Sequence, residues 1–332
     1  MRAYRLSPSD APLQLVEEAD PRPGPGEIVV DLKAATLNYR DTIVRDGLYG
    51  GDQRPDLVPL SDGAGIISAV GAGVSARQVG ERVAIGFMPT WADGAFSAAK
   101  QAQALGGGFA DGVLAERIIV PASGVTPFPD GWSFEEAAAY PCAGVTAWTC
   151  LFGGRGVRPG DTVLVEGTGG VSTFALQFAK AAGARVIATS SSDDKLARAR
   201  RLGADEVINY RATPDWGIRA AEIAGGGVDH VVEVGGPATL DQALAAVRYG
   251  GEVALVGVLT GFAGPINTAA ILMKAINLRG VYVGSVADLA AALASGVRPV
   301  IDETFAFDQA DAAYARMRSG AHHGKLAITI GG

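Results

Sequence analysis

The segment from Asp161 to Ser192, DTVLVEGTGGVSTFALQFAKAAGARVIATSSS, constrains the fold more than any other part of the chain. A short apolar, β-branched run at 162–165 ends in Gly167-Thr168-Gly169-Gly170-Val171-Ser172. An amphipathic helix pattern follows, and then a second apolar run at 185–189. Strand, glycine turn, helix, strand is the setting in which a glycine fingerprint reads as a dinucleotide site. Gly167 permits the tight turn, and Gly169 lets the backbone approach a pyrophosphate. The helix opening near Gly170 would point free N–H groups at that anion. Ser172 stands at the third glycine position, small enough for close helix–strand packing but not a strict match. An ordinary α/β unit with a glycine turn is the competing reading.

From about residue 125 onward, strand and helix patterns alternate. Further strands are expected at 206–209, 228–234, 252–258 and 278–283, with helices at 173–182, 193–202, 215–224 and 239–247. Gly183, Gly203 and Gly250 stand where helix C-caps are expected. Six strands with helical crossovers predict an α/β domain with a doubly wound parallel sheet. The first 120 residues differ: short strand-like runs at 27–34, 65–70, 82–85 and 116–120 are separated by Pro/Gly turns, which suggests a mainly β domain. The tail mixes helices (286–295, 309–318) with strands (300–307, 325–330) and is expected to return to the first domain.

The 332 residues, 48% of them hydrophobic, suffice for two cores. With 28 Lys and Arg against 35 Asp and Glu, the net charge of −7 argues against a nucleic-acid or anionic-membrane partner. Two cysteines, Cys142 and Cys150, imply no disulfide framework and fit a reducing compartment. Residues 253–273 carry no charge and are long enough to span a bilayer. Gly257, Gly261, Gly264, Pro265 and Asn267 divide them into a buried strand and a loop, so no span is expected. No signal-peptide pattern follows Met1, and the expectation is a soluble, cytoplasmic protein.

Several further motifs are collinear: Gly24-Pro25-Gly26-Glu27-Ile28-Val29-Val30, Leu37-Asn38-Tyr39-Arg40-Asp41, Pro59-Leu60-Ser61-Asp62-Gly63-Ala64-Gly65, Val79-Gly80-Glu81-Arg82-Val83, Pro141-Cys142-Ala143-Gly144-Val145-Thr146-Ala147-Trp148 and Gly324-Lys325. With these the chain resembles the medium-chain dehydrogenase/reductases, and among them the zinc-free quinone-oxidoreductase-like branch, many of whose members are called alcohol dehydrogenases. The resemblance implies a discontinuous GroES-like, mainly β catalytic domain (1–124 and 287–332) and a Rossmann NAD(P)-binding domain with a six-stranded parallel sheet (125–286). It also implies an active site in the cleft between them, and a homodimer made by edge pairing of the sixth Rossmann strands. In the zinc-dependent branch three positions hold a catalytic metal; here they are Asn38, Ser61-Asp62 and Cys142. A catalytic zinc needs three good N, S or O ligands plus water, and the four cysteines of a structural zinc lobe are missing from 86–111. No zinc is therefore expected, and Cys142 reads as a small buried apolar residue.

An NAD-preferring site places an acidic residue near the end of the second strand. Ser190-Ser191-Ser192 stands there instead, and Lys195 lies one turn into the next helix. The expected cofactor is NADP(H), its 2′-phosphate flanked, by resemblance, by Lys195 and Tyr210. Against this, Ser191-Ser192-Asp193-Asp194 is also a good helix N-cap, with Asp194 completing a capping box. The turn residues Gly167, Thr168, Gly169, Gly170 and Val171 are further cofactor candidates, as are Gly235, Gly257 and Val258 at strand ends. By resemblance Val283, Gly284 and Ser285 lie near the nicotinamide amide, Thr146 near the ribose or phosphate, Asn38 near the ring, and Lys325, with His323, closes over the nicotinamide end.

Without metal, hydride transfer to a quinone or an α,β-unsaturated carbonyl needs orientation and a few hydrogen-bond donors, because the arriving charge delocalises. Candidate catalytic residues are Asn38, Tyr39, Tyr49 and, holding Asn38 or a water, Asp41, with Arg40 a further donor. Two other readings are open: a zinc-free alcohol dehydrogenase or ketone reductase relying on Tyr39 or Tyr49, and an NADPH-binding sensor with little turnover. Residues 87–112 are expected to line the substrate cleft or a subunit contact.

Overall fold

The computed structural model describes residues 1–7, 11–49 and 53–331. The chain divides into two compact units, Met1–Val145 with Gly284–Gly332, and Thr146–Val283.

The first unit is built on a seven-stranded sheet organised around the strand Glu27–Leu37. That strand is rich in β-branched and apolar residues and most of its side chains are buried, so it sits centrally. Asp62–Val70 and Arg117–Pro121 pair with it antiparallel along parts of its length. So does Lys325–Thr329, with Leu326 opposite Leu37, and Ile301–Ala306 then adds parallel to that strand. The tail thus returns to the β-rich unit by pairing into its sheet. The strand Val125–Pro127 also joins this sheet, antiparallel to Arg82–Ile85. Residues 125–145 accordingly belong to this unit, so that the chain changes units at 145/146 and 283/284 where 124/125 and 286/287 were expected.

In the second unit six parallel strands run across the sheet in the order Glu206–Asn209, Arg185–Ser190, Thr162–Glu166, Val228–Glu233, Val247–Leu255, Asn277–Gly280. Numbered along the chain that is 3-2-1-4-5-6, the Rossmann order, with the reversal between Thr162–Glu166 and Val228–Glu233. The crossover helices Gly170–Ala181, Asp193–Arg201, Trp216–Ile223 and Leu240–Ala246 match the periodic segments of the sequence. Gly183 and Gly203 take positive φ (+79° and +108°) just past two helix ends, as expected of C-terminal glycines.

Three local expectations are corrected. Gly250 is not a helix cap: the fifth strand already starts at Val247, and Gly250 (φ +67°) lies within it, near a register shift against the fourth strand. The sixth strand ends at Gly280 rather than at residue 283. The stretch expected as loop contains the helix Thr268–Met273, capped by the Asn267 side chain, which accepts from the Ala270 N–H at 3.1 Å. Among the described residues no helix is long and apolar enough to cross a membrane.

Candidate functional site

Strand register assembles one buried polar cluster in the first unit. Leu326 pairs with Leu37, which brings Lys325 beside Asn38, and Thr36 pairs with Asp62 on the other side. Gly324 (φ +84°) makes the approach possible, since a Cβ there would lie 2.4 Å from the Val300 carbonyl oxygen. The Lys325 ammonium donates to Asn38 Oδ1 at 2.6 Å, the Leu37 carbonyl at 2.8 Å and Asp62 Oδ2 at 3.0 Å. Asp62 also accepts from the Ser61 hydroxyl at 3.0 Å. Lys325 is 2% and Asp62 0% exposed, so this is a buried, hydrogen-bonded ion pair.

The cluster fixes the orientation of Asn38. An ammonium has three donors and no acceptor, so the amide oxygen must face it. Asn38 Nδ2 then carries both remaining donors, and it has no partner among the described residues. Asn38 is also the first residue before the helix Tyr39–Arg45, where its backbone N–H donates to Asp41 Oδ2 at 2.7 Å. Burial pushes the Asp41 carboxyl up to about 6, against the Arg40 guanidinium, whose Nη1 lies 3.6 Å from Asp41 Oδ1. Arg40 is stacked between the rings of Tyr49 and Phe87, 4.7 and 4.6 Å from their centroids, and donates to the Leu105 carbonyl at 3.1 Å. Phe87 and Leu105 thereby give the 87–112 segment a place beside these residues. Tyr39 is exposed.

Lys325 was expected to close over the nicotinamide. Its three N–H groups bond to Asn38, Leu37 and Asp62, so it holds the cluster together. The same contacts test the residues against a zinc ion. Of the three metal positions, Asn38 and Asp62 present their oxygens to an ammonium, and burial pushes the Cys142 thiol far above its ordinary range, away from the thiolate that binds metal. Among the described residues no group of three His, Cys, Asp or Glu side chains could hold a metal.

In the second unit the glycine turn has the geometry a dinucleotide requires. Gly167 has φ +73°, and a Cβ on Gly169 would meet nothing within 4 Å. Gly169 precedes the helix Gly170–Ala181 with no side chain capping its first N–H groups. Ser172 has a role of its own: its hydroxyl donates to the Glu166 carbonyl at 2.6 Å, tying helix to strand where a third glycine would have allowed only close approach. Thr168 is buried, and Val171 is half-buried in the first turn of the helix.

Ser190 ends the second strand and pairs with Asn209; the Tyr210 N–H donates to the Ser190 carbonyl at 3.1 Å, which places Ser190, Ser191 and Tyr210 at neighbouring strand ends. The expected capping box is absent: Ser192 is the N-cap residue of Asp193–Arg201 and its side chain makes no capping bond. Lys195 lies in the first turn of that helix, and the nearby Asp193 carboxylate accepts from Asn209 Nδ2 at 2.7 Å. At the fourth and fifth strand ends, a Cβ on Gly257 would fall 2.2 Å from the Val234 carbonyl carbon, so Gly257 and Gly235 belong to loops in direct contact, followed by half-buried Val258. Thr146 is buried in the helix Val145–Phe152. Val283 has φ +57°, a conformation a β-branched residue adopts only under strain. Ser285, after Gly284, is occupied as a helix cap, accepting from the Asp288 N–H at 3.1 Å. Thr36 and Arg40 as structural partners, and Asp62 as an ion-pair partner, escaped sequence reasoning. The signal available was a cross-strand pairing that only the register reveals.

Comparison with known proteins agrees with this architecture. The alcohol dehydrogenase GroES-like domain family matches residues 24–130, and the zinc-binding dehydrogenase family matches residues 170–298. The chain is 44% identical over 317 residues to a zinc-type alcohol dehydrogenase-like protein of Schizosaccharomyces pombe, covering 92% of this chain and 91% of that one. The chain belongs to the medium-chain dehydrogenase/reductase superfamily. A solved NAD-dependent alcohol dehydrogenase matches with TM-score 0.89 and 33% identity over 100% of both chains. A crotonyl-CoA carboxylase/reductase matches with TM-score 0.86 and 25% identity over 99% of this chain and 88% of that one. The protein is thus an oxidoreductase of the alcohol dehydrogenase type.

Proposed function

We propose that this member of the superfamily is a zinc-independent, NADPH-dependent reductase of quinones or α,β-unsaturated carbonyl compounds. The observation that carries the reading is Asn38: with Oδ1 held by the Lys325 ammonium, its Nδ2 is left as a fixed donor for an acceptor oxygen. The nicotinamide, when bound, supplies the hydride. A conjugated acceptor then develops charge on its oxygen, where a pre-oriented amide donor is worth more than one that must reorganise. Asp41 holds the Asn38 backbone, and Arg40 with its two aromatic neighbours holds Asp41. That one neighbour is named for crotonyl-CoA, an α,β-unsaturated thioester, supports a conjugated acceptor. The names zinc-type and alcohol dehydrogenase among the relatives favour the second reading, a simple alcohol or ketone as substrate.

The test is NADPH oxidation after chelation against a quinone, a linear enone and a simple ketone. Turnover of the conjugated acceptors alone, unchanged by chelation, is the expected result. Activity confined to the ketone, or abolished by chelation, overturns it; tight binding of NADPH with no turnover of any acceptor returns the sensor reading.

NADPH preference is supported by the absence of a carboxylate in Ser190-Ser191-Ser192 and by the engagement of Asp193 with Asn209. A charge-assisted bond to the 2′-phosphate is worth about 1.5–3 kcal/mol. Lys195→Ala is therefore expected to raise the KM for NADPH roughly ten- to hundredfold and to leave that for NADH nearly unchanged. An equal rise for both cofactors would sink this assignment. We also propose a homodimer through the sixth-strand edge. Asn277–Gly280 is the outer strand of its sheet, and Tyr249, Leu272 and Met273 in the same unit are exposed apolar residues. Light scattering should give twice the 33.9 kDa chain mass; a monomer at all concentrations contradicts it.

A further inference from the structure

The cofactor contacts proposed above do not use the two acids that end the strands on either side of the sheet's reversal point. Val165 pairs with Val232, so Glu166 and Glu233 are the next residues on neighbouring parallel strands and their side chains fall on the same face. The strand order reverses between these two strands, the place where open α/β sheets take their ligands. Glu166 is 5% and Glu233 0% exposed. Glu233 Oε1 is well supplied: it accepts from the Gly236 N–H at 2.8 Å, the Gly235 N–H at 3.1 Å and the Thr239 hydroxyl. Glu233 Oε2 and both carboxyl oxygens of Glu166 have no hydrogen-bond donor among the described residues. The groups acting most strongly on Glu166 are Glu233 and the backbone N–H groups of Val234 and Gly235, which face it without reaching hydrogen-bonding geometry; no cation is among them.

Two buried carboxylates side by side cannot both be ionised at modest cost, and a proton between them supplies the missing donor. Glu166, with no donor on either oxygen, is the natural holder of the proton. Burial and the neighbouring Glu233 accordingly push the Glu166 carboxyl well above the ordinary range. Glu166 directly precedes Gly167, and its carbonyl accepts from Ser172 in the first turn of the helix Gly170–Ala181. Its charge state is therefore set at the foot of the glycine turn.

We propose that Glu166 and Glu233 share one proton, and that losing it weakens binding of the anionic cofactor by adding a second negative charge beneath the turn. The coupling rests on the dinucleotide-binding reading; the shared proton does not. One proton is linked, so the Kd for NADPH should rise with pH by at most about tenfold per unit. The range to test is about pH 7 to pH 9.5, above the second phosphate pKa of about 6.

Glu166→Gln offers Glu233 an amide donor that cannot ionise. The variant should bind NADPH with a flatter pH profile than the wild type. A readout without cofactor accompanies it. Glu166 binds its proton more tightly folded than unfolded, so wild-type stability falls as pH rises from the unfolded carboxyl pKa of about 4.3 toward the raised folded value. The Glu166→Gln melting temperature should fall less over that range. Should the variant not fold, a protonated-carboxyl infrared band in the wild-type protein at neutral pH serves instead, and its absence overturns the shared proton. Parallel pH profiles of wild type and variant in both binding and melting overturn the whole proposal. Divergent melting with parallel binding overturns only the coupling, and a wild-type protein that binds no dinucleotide at any pH fails the cofactor reading while leaving the melting comparison decisive for the proton.

Discussion

Lys325→Met is expected to unfold the protein at a lower urea midpoint, by about 3–5 kcal/mol, and to abolish most of its turnover. The stability loss follows from Asp62, which is fully buried and would be left as a charge without its counter-ion. The activity loss has a different origin: without the ammonium on Oδ1 the Asn38 amide is free to turn, and the fixed donor is gone. The two effects separate in the double variant Lys325→Met with Asp62→Leu. Removing both charges should recover most of the stability, because an apolar pair of similar volume is often as stable as a buried ion pair. It should not recover kcat. A double variant with wild-type kcat would show that Lys325 matters to the fold alone and that Asn38 needs no holding.

The second large effect is expected at Gly257. A Cβ there would lie 2.2 Å from the Val234 carbonyl carbon and 2.5 Å from the backbone nitrogens of Gly235 and Gly236. None of these is the far end of a flexible side chain, so a loop must move. The loops are cross-tied, with the Thr260 N–H and hydroxyl both bonded to the Gly235 carbonyl at 2.9 Å. Gly257→Ala should therefore cost at least the roughly 1–3 kcal/mol typical of overpacking. It should also weaken cofactor binding by displacing the strand ends at which the fold takes its ligand. Thermal melting and NADPH titration check both, and a variant with unchanged melting temperature and Kd would show that the two loops are not in the close contact described.

Periodicity made the Rossmann unit legible because each strand and helix there is a local pattern closed by local punctuation, as with Gly183 and Gly203. It failed where pairing overruled local signals. Gly250 looks like a helix cap but lies in a strand, because Val247 pairs with Val228 before the register shifts. Residues 125–127 stand at the start of the region read as alternating strand and helix, yet an edge of the β-rich sheet claims them.

The site divides in the same way. The glycine turn, the missing acid after the second strand and the substitutions at the metal positions are legible in the chain directly, since each depends on which residue type stands at a fixed spacing. So are Asn38 and Asp41, which are near neighbours in the chain. The role of Lys325 follows from the folded arrangement alone. This lysine is 287 residues from Asn38 and 263 from Asp62, and its three bonds follow from two strand registers meeting at one point. The Glu166–Glu233 pair arises likewise, from one register between strands whose paired residues Val163 and His230 stand 67 residues apart in the chain. A charge's partner is a property of register and burial, and neither is written in local spacing.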